Sequence, residues 1–126
     1  MIYYGEFIVY DLENYSKRSE RRSNMIYVIA TVELAEGKRS AFLEEFHKVV
    51  PDVHAEAGCI EYGPTIDFPS GIEVQEPLRD NVVTIMEKWD DLDSLMIHLT
   101  APHMKTYREN VKNFVRGMKI TVLEPA

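Results

Sequence analysis

The strongest chemical signal lies at the end of one apolar run, where Glu87 and Trp89 stand two residues apart. In a strand that spacing puts both side chains on one face. A carboxyl beside an indole on a covered strand is pushed toward its neutral form and can act as a base. The alternative is a glutamate paired with a cation across the sheet. Trp89 is the only tryptophan of the chain. Its indole either lines a pocket or anchors a core or an interface, and its N–H needs a partner in each case. His98 and His103 flank Pro102. They do not share a helical face, yet they can converge on one cavity where two helices join. An imidazole placed there is a proton shuttle near neutral pH; ordinary cap or surface histidines are the other reading. Tyr62 and Tyr107 are pocket candidates, because a phenol can hydrogen-bond an oxygenated ligand, with plain packing as the alternative.

The remaining reactive side chains say less. His47 and His54 stack on one flank of a helix and read as boundary residues. Cys59 has no partner pattern for nucleophilic chemistry and reads as a small buried residue. Two histidines fall short of the three or four ligands of a zinc site, so no metal is expected. There is no GxGxxG, P-loop, GxSxG or HExxH motif. A site built from these residues is apolar and aromatic with a few polar groups, which suits a small organic ligand.

The elements that must hold these groups follow from apolar runs and their punctuation. Residues Met25 to Leu34 and Asn81 to Trp89 are nearly all apolar or β-branched and read as strands covered on both faces. A chain this small covers one face with its own helices, so the other asks for a second copy. Glu36 to Glu56 reads as a helix, with Phe42, Phe46, Val49, Val50 and Val53 forming one stripe. Pro51 should kink or split it, and Gly58 should stop it. Cys59 to Ile66 reads as a strand, and Asp67 to Asp80 as a long loop. Asp90 or Asp91 should cap a second helix, and Pro102 should open a third. That third helix is expected to reach Gly117, followed by a last strand from Met118 to Leu123. The order is strand, helix, strand, strand, helix, helix, strand. It is the split βαβ pattern of a ferredoxin-like α+β domain with an antiparallel sheet.

Composition narrows the class. The chain has 126 residues, 45% hydrophobic and 28% charged, enough for one core without disulfides. Its single cysteine excludes an internal disulfide framework. The net charge of −7 argues against nucleic acid. No apolar run is long enough for a membrane span, and the N-terminus lacks the pattern of a signal peptide, so a cytoplasmic location is expected. Residues 1–24 balance four acids against four bases, which leaves the whole charge on 25–126. Within that N-terminal extension, Ile2 to Leu12 reads as a strand and Ser16 to Asn24 as a basic linker.

The runs AEAGCIEY (Ala55 to Tyr62) and VVTIMEKWDDLDSLMIHLTAPHMKTY (Val82 to Tyr107) resemble the antibiotic biosynthesis monooxygenase family, in its quinol-monooxygenase-like branch. The Gly58-Cys59 turn, the Glu87-x-Trp89 strand end and the His98 to His103 stretch carry the likeness, which spans Met25 to about Leu123. The resemblance implies a dimeric α+β barrel, a homodimer whose two sheets face each other, with a pocket in each subunit. It implies oxidation of a quinol-like or polycyclic phenolic small molecule with O2, with no metal or flavin. By that analogy Trp89, Tyr62 and Tyr107 line or serve the substrate pocket, and His98, His103 and Glu87 handle protons. Two relatives within the superfamily suggest other readings. Haem-degrading members pair a first-strand asparagine with a tryptophan and a histidine, whereas Met25 to Leu34 contains none, Asn24 lying just before. Isomerases of a phosphorylated signal molecule need basic groups near the pocket; the acidic balance of the chain does not favour that reading, and Arg79 and Arg108 keep it open. A binding module that holds a small aromatic or haem without turnover is the remaining alternative.

Overall fold

The computed structural model describes residues 24–126. The strand expected over 2–12 and the linker over 16–24, Asn24 apart, lie outside the described residues. The order of elements is the one the apolar runs predict. Strand β1 (Ile26–Leu34) leads to helix α1 (Arg39–His54), then to strands β2 (Cys59–Thr65) and β3 (Val82–Trp89). Helices α2 (Leu92–Leu99) and α3 (Pro102–Val111) precede the last strand, β4 (Val115–Leu123). The four strands form one antiparallel sheet in the order β2-β3-β1-β4. This is a ferredoxin-like α+β fold.

Burial along β1 alternates strictly: Ile26, Val28, Ala30, Val32 and Leu34 are buried, and the residues between them are not. β3 behaves alike, with Val83, Ile85, Glu87 and Trp89 buried. Among the described residues, then, one face of the sheet is covered, the one expected to lie under the chain's own helices. Period-2 geometry sends one set under the helices. The opposite set, including Tyr27, Met86 and Leu123, stays open at 37–43% exposure.

Helix α1 packs Phe42, Phe46, Val49 and Val53 on the sheet. It starts three residues later than the stripe suggests, because Gly37 adopts a left-handed φ of 75°. That turn is held by the Gly37 N–H donating to Asn81 Oδ1 at 3.2 Å. Pro51 does not split the helix. Its missing N–H removes one bond, and the last turn still closes when the Ala55 N–H donates to the Pro51 carbonyl at 3.1 Å. Asp91 caps α2, its carboxylate accepting from the Ser94 N–H at 2.8 Å, and Pro102 opens α3.

The third helix is shorter than expected. It ends at Val111, and Gly117 lies inside β4 rather than at a helix stop. A glycine inside a strand marks a bulge, and the β1–β4 register does shift between Glu33 and Leu34, opposite Gly117 and Val115. The Phe114 N–H closes the turn onto the Val111 carbonyl at 2.8 Å, and the Ala35 N–H then holds the Phe114 carbonyl at 2.8 Å. β-branched Val115 thus enters the sheet. Among the described residues no helix is long and apolar enough to cross a membrane.

Candidate active site

The helices and the inner sheet face enclose a hollow lined from every layer. Val28 and Ala30 come from β1, Tyr62 from β2 and Glu87 from β3. His98 comes from α2, Met104, Tyr107 and Arg108 from α3, and Met118 and Ile120 from β4. The enclosed volume is about 60 Å³. A cavity that accepts benzene measures roughly 150 Å³, so an aromatic ring enters only if the lining yields. Met104 and Met118 are unbranched thioethers that change rotamer at small cost.

Period 2 along β3 places Glu87 and Trp89 on the inner face, as the sequence implies. The indole N–H of Trp89 donates to Glu87 Oε1 at 2.9 Å. Burial pushes the Glu87 carboxyl up from 4.5 to about 7, and the negative charge of Glu56 adds to this. The bond from Trp89 opposes it by favouring the ionised form. Glu87 is therefore a carboxyl poised near neutrality at the wall of an apolar hollow.

His98, 1% exposed, lies against Trp89, with ring centroids 4.7 Å apart. Its Nδ1 meets Glu56 Oε2 at 2.9 Å, and its Nε2 stands 4.0 Å from Glu87 Oε1. Desolvation lowers the pKa of His98, against the opposing pull of Glu56. The ring is thus held neutral at pH 7. A proton on Nδ1, shared with Glu56, leaves the Nε2 lone pair on the side of Glu87 and the hollow.

Tyr62 stacks on Phe46 at 5.4 Å and meets the His98 ring edge-on at 5.2 Å. Burial raises its phenol pKa strongly, so it stays protonated. Tyr107 packs edge-on against Phe42 and Phe46, at 6.2 and 5.7 Å. Both tyrosines line the hollow. Trp89 and His103 do not. Trp89 is fully buried behind Glu87 and His98 rather than at the wall. The His103 side chain is 27% exposed and reaches the group only through Glu56 Oε2, at 2.7 Å from its Nε2. Of the two arginines, Arg108 lines the hollow while its Nη2 donates to the Leu99 carbonyl at 2.6 Å. Arg79 instead closes the neck of the 67–80 loop through two bonds to Asp67, at 2.8 and 2.9 Å.

Glu56 is the residue that sequence reasoning missed. It follows α1 between Ala55 and Ala57, with no periodicity to mark it. Gly58 places it. A left-handed φ of 84° turns the chain there, and a Cβ at this position would overlap the Ser94 hydroxyl and stand 2.6 Å from Ser94 Cβ. The Gly58 carbonyl accepts from the Asp90 N–H at 2.8 Å. The turn thus lies flat on the start of α2 and brings Glu56 beside His98. Cys59 is half-buried, and burial raises its thiol pKa to about 11, which keeps it un-ionised and unreactive. His54 donates from Nε2 to the Tyr62 carbonyl at 2.8 Å, so Nε2 carries the proton. Among the described residues, no group of three or more His, Cys, Asp or Glu side chains is arranged to hold a metal ion.

The family model for antibiotic biosynthesis monooxygenase matches residues 25–110. The chain is 41% identical over 103 residues to "Probable quinol monooxygenase YgiN" of Escherichia coli K12, covering 80% of this chain and 98% of that protein. The protein of the same name from Shigella flexneri matches equally. Among solved structures, PA3566 of Pseudomonas aeruginosa superposes with a TM-score of 0.69 at 24% identity, over 82% of this chain and 96% of that one. Rv0793 of Mycobacterium tuberculosis gives 0.66 at 23%, over 81% and 95%. These two likenesses concern the fold, whereas the family model and the E. coli relative reach the sequence itself: the chain belongs to the antibiotic biosynthesis monooxygenase family.

Proposed function

We propose that the protein is a monooxygenase that oxidises a quinol-like or polycyclic phenolic small molecule with O2, using His98 as the base and no metal or flavin. The observation that carries this reading is a neutral imidazole at an apolar hollow. Its Nδ1 is engaged by Glu56 and its Nε2 stands beside Glu87. Nε2 takes the phenolic proton. The phenolate, electron-rich and surrounded by apolar walls, passes one electron to O2, giving a phenoxyl radical and superoxide; these join at a ring carbon that bears hydrogen, the imidazolium returns its proton to the peroxide, and loss of water leaves one oxygen as a ring carbonyl. The protein's share is a dry pocket, a base and hydrogen bonds to steady the anion. Glu87 is a second proton-handling group, and Tyr107 and Tyr62 offer phenolic O–H groups to the ligand's oxygens. The E. coli relative, named as a quinol monooxygenase, supports the substrate class.

The working unit in this reading is a homodimer. Tyr27, Ile29, Met86 and Leu123 stand on the outer sheet face, which no element among the described residues covers. A second sheet laid on that face makes the barrel.

The test is O2 uptake with a panel of mono- and bicyclic hydroquinones in metal-free buffer. Turnover is expected for the wild type and is lost in a His98→Ala, His103→Ala double variant. Absence of turnover across the panel refutes the proposal. A thermal shift with the ligand recovered unchanged would point instead to a binding module.

A further inference from the structure

Glu56 reaches no wall of the hollow, yet its Oε2 sits between two imidazole nitrogens, 2.9 Å from His98 Nδ1 and 2.7 Å from His103 Nε2. Among the described residues its other oxygen, Oε1, is buried without a hydrogen-bond partner. A carboxylate that served only to tie elements together would be expected to satisfy both oxygens, because a buried unpaired acceptor is costly. Here one oxygen takes two N–H groups. Side-chain exposure rises along the line, from 2% at His98 to 10% at Glu56 and 27% at His103.

We propose that Glu56 is the positioning residue of this site, fixing His98 in the tautomer that turns Nε2 toward the hollow, and that His103 is the outer N–H donor that keeps Glu56 aimed. This rests on the monooxygenase reading only in its kinetic arm. A carboxylate behind an imidazole fixes the tautomer and steadies the imidazolium formed when the ring takes a proton. Among the described residues His98 Nδ1 has no second hydrogen-bond partner, so without Glu56 the ring is free to turn over. The titratable and charged groups around the line are Glu87 on β3, Cys59 and Tyr62 on β2, and Tyr107 and Arg108 on α3.

Two substitutions separate positioning from mere structure. Glu56→Gln keeps the shape but removes the charge. His103→Gln keeps an N–H donor for Glu56 and removes the imidazole. Ring ¹⁵N shifts of the four histidines read the tautomers with no substrate present. The wild type should show the His98 proton on Nδ1; Glu56→Gln should lose that preference, and His103→Gln should keep it. With a hydroquinone that the wild type oxidises, Glu56→Gln should lower kcat by about a hundredfold with KM little changed. Its acid limb should move down by about one pH unit, since the charge that supports the His98 cation is gone. His103→Gln should stay within about threefold of the wild type, and His103→Leu should fall between the two. A His98 proton on Nε2 in the wild type overturns the proposal, as does a Glu56→Gln variant with unchanged kcat and pH profile. If no hydroquinone is oxidised, the monooxygenase reading falls, and the nitrogen shifts still decide the role of Glu56.

Discussion

Glu87 trades stability for a carboxyl poised near neutral pH, and Glu87→Gln should release that stability. Its carboxyl ionises at about 7 in the folded chain against 4.5 for the ordinary group. A raised carboxyl pKa means the folded state binds the proton more tightly than the unfolded one. The favourable contribution is therefore full below pH 4.5 and is lost as pH rises from 4.5 to 7. Above pH 7 the native chain must carry the charge in its interior, at a cost of about 3 kcal/mol. Glutamine keeps the carbonyl that accepts the Trp89 N–H and carries no charge for Glu56 to repel. Its amide N–H2 needs acceptors at the hollow, which reduces the gain. The variant should be about 1–3 kcal/mol more stable than the wild type at pH 8, a rise in Tm of up to about 10 °C. At pH 4.5 the two should be nearly equal. Urea unfolding at both pH values, with the m-value checked for constancy, measures the difference. An advantage of equal size at both pH values, or a variant weaker than the wild type at pH 8, would refute the reasoning.

The same variant should unmask His98. With the Glu87 slope removed, stability should fall as pH drops below 6.5, because the unfolded imidazole takes a proton that the buried one resists; a flat profile between pH 7 and 5 would count against a neutral His98. Gly58→Ala combines a left-handed φ with an overlap onto Ser94, and should cost about 1–3 kcal/mol in strain alone, read as a lower Tm with weakened turnover. Val28→Asp puts a charge on a 2%-exposed strand position directly across from Glu87; several kcal/mol of burial cost should leave it unfolded by circular dichroism. Light scattering behind size exclusion should return about twice the 14.6 kDa of one chain, and a monomer at micromolar concentration would sink the barrel.

What was legible in the sequence was local. Apolar runs bounded by glycine, proline and aspartate mark the seven elements, and the Asp91 cap and Pro102 start follow from chemistry confined to one helical turn. Period 2 alone unites Glu87 with Trp89. Gly117 misleads because glycine signals a helix stop and a strand bulge alike, and only the pairing with Glu33 and Leu34 decides between them. The alternation of β1 is hidden for a related reason: Ile29 on the open face is as apolar as Val28 beneath the helices. Glu56 is harder still. Its partners stand 42 and 47 residues away, and an acid between two alanines carries no mark of that meeting. The cue is Gly58, whose turn was visible but not the surface it lies against. Trp89 shows the converse limit: its type and face were readable, but the depth that places it behind the wall depends on His98 packing over it.

The bond from Trp89 to Glu87 also gives the molecule an optical gauge. The chain has a single indole, sealed from water and joined at its nitrogen to a carboxyl whose charge changes near neutrality. Emission excited at the red edge of protein absorption comes from that ring alone, and a full negative charge placed at its N–H differs sharply from a neutral acid. The colour and yield of that light should follow the state of the carboxyl, so the ionisation of Glu87 can be watched in the unlabelled protein, before any substrate is found.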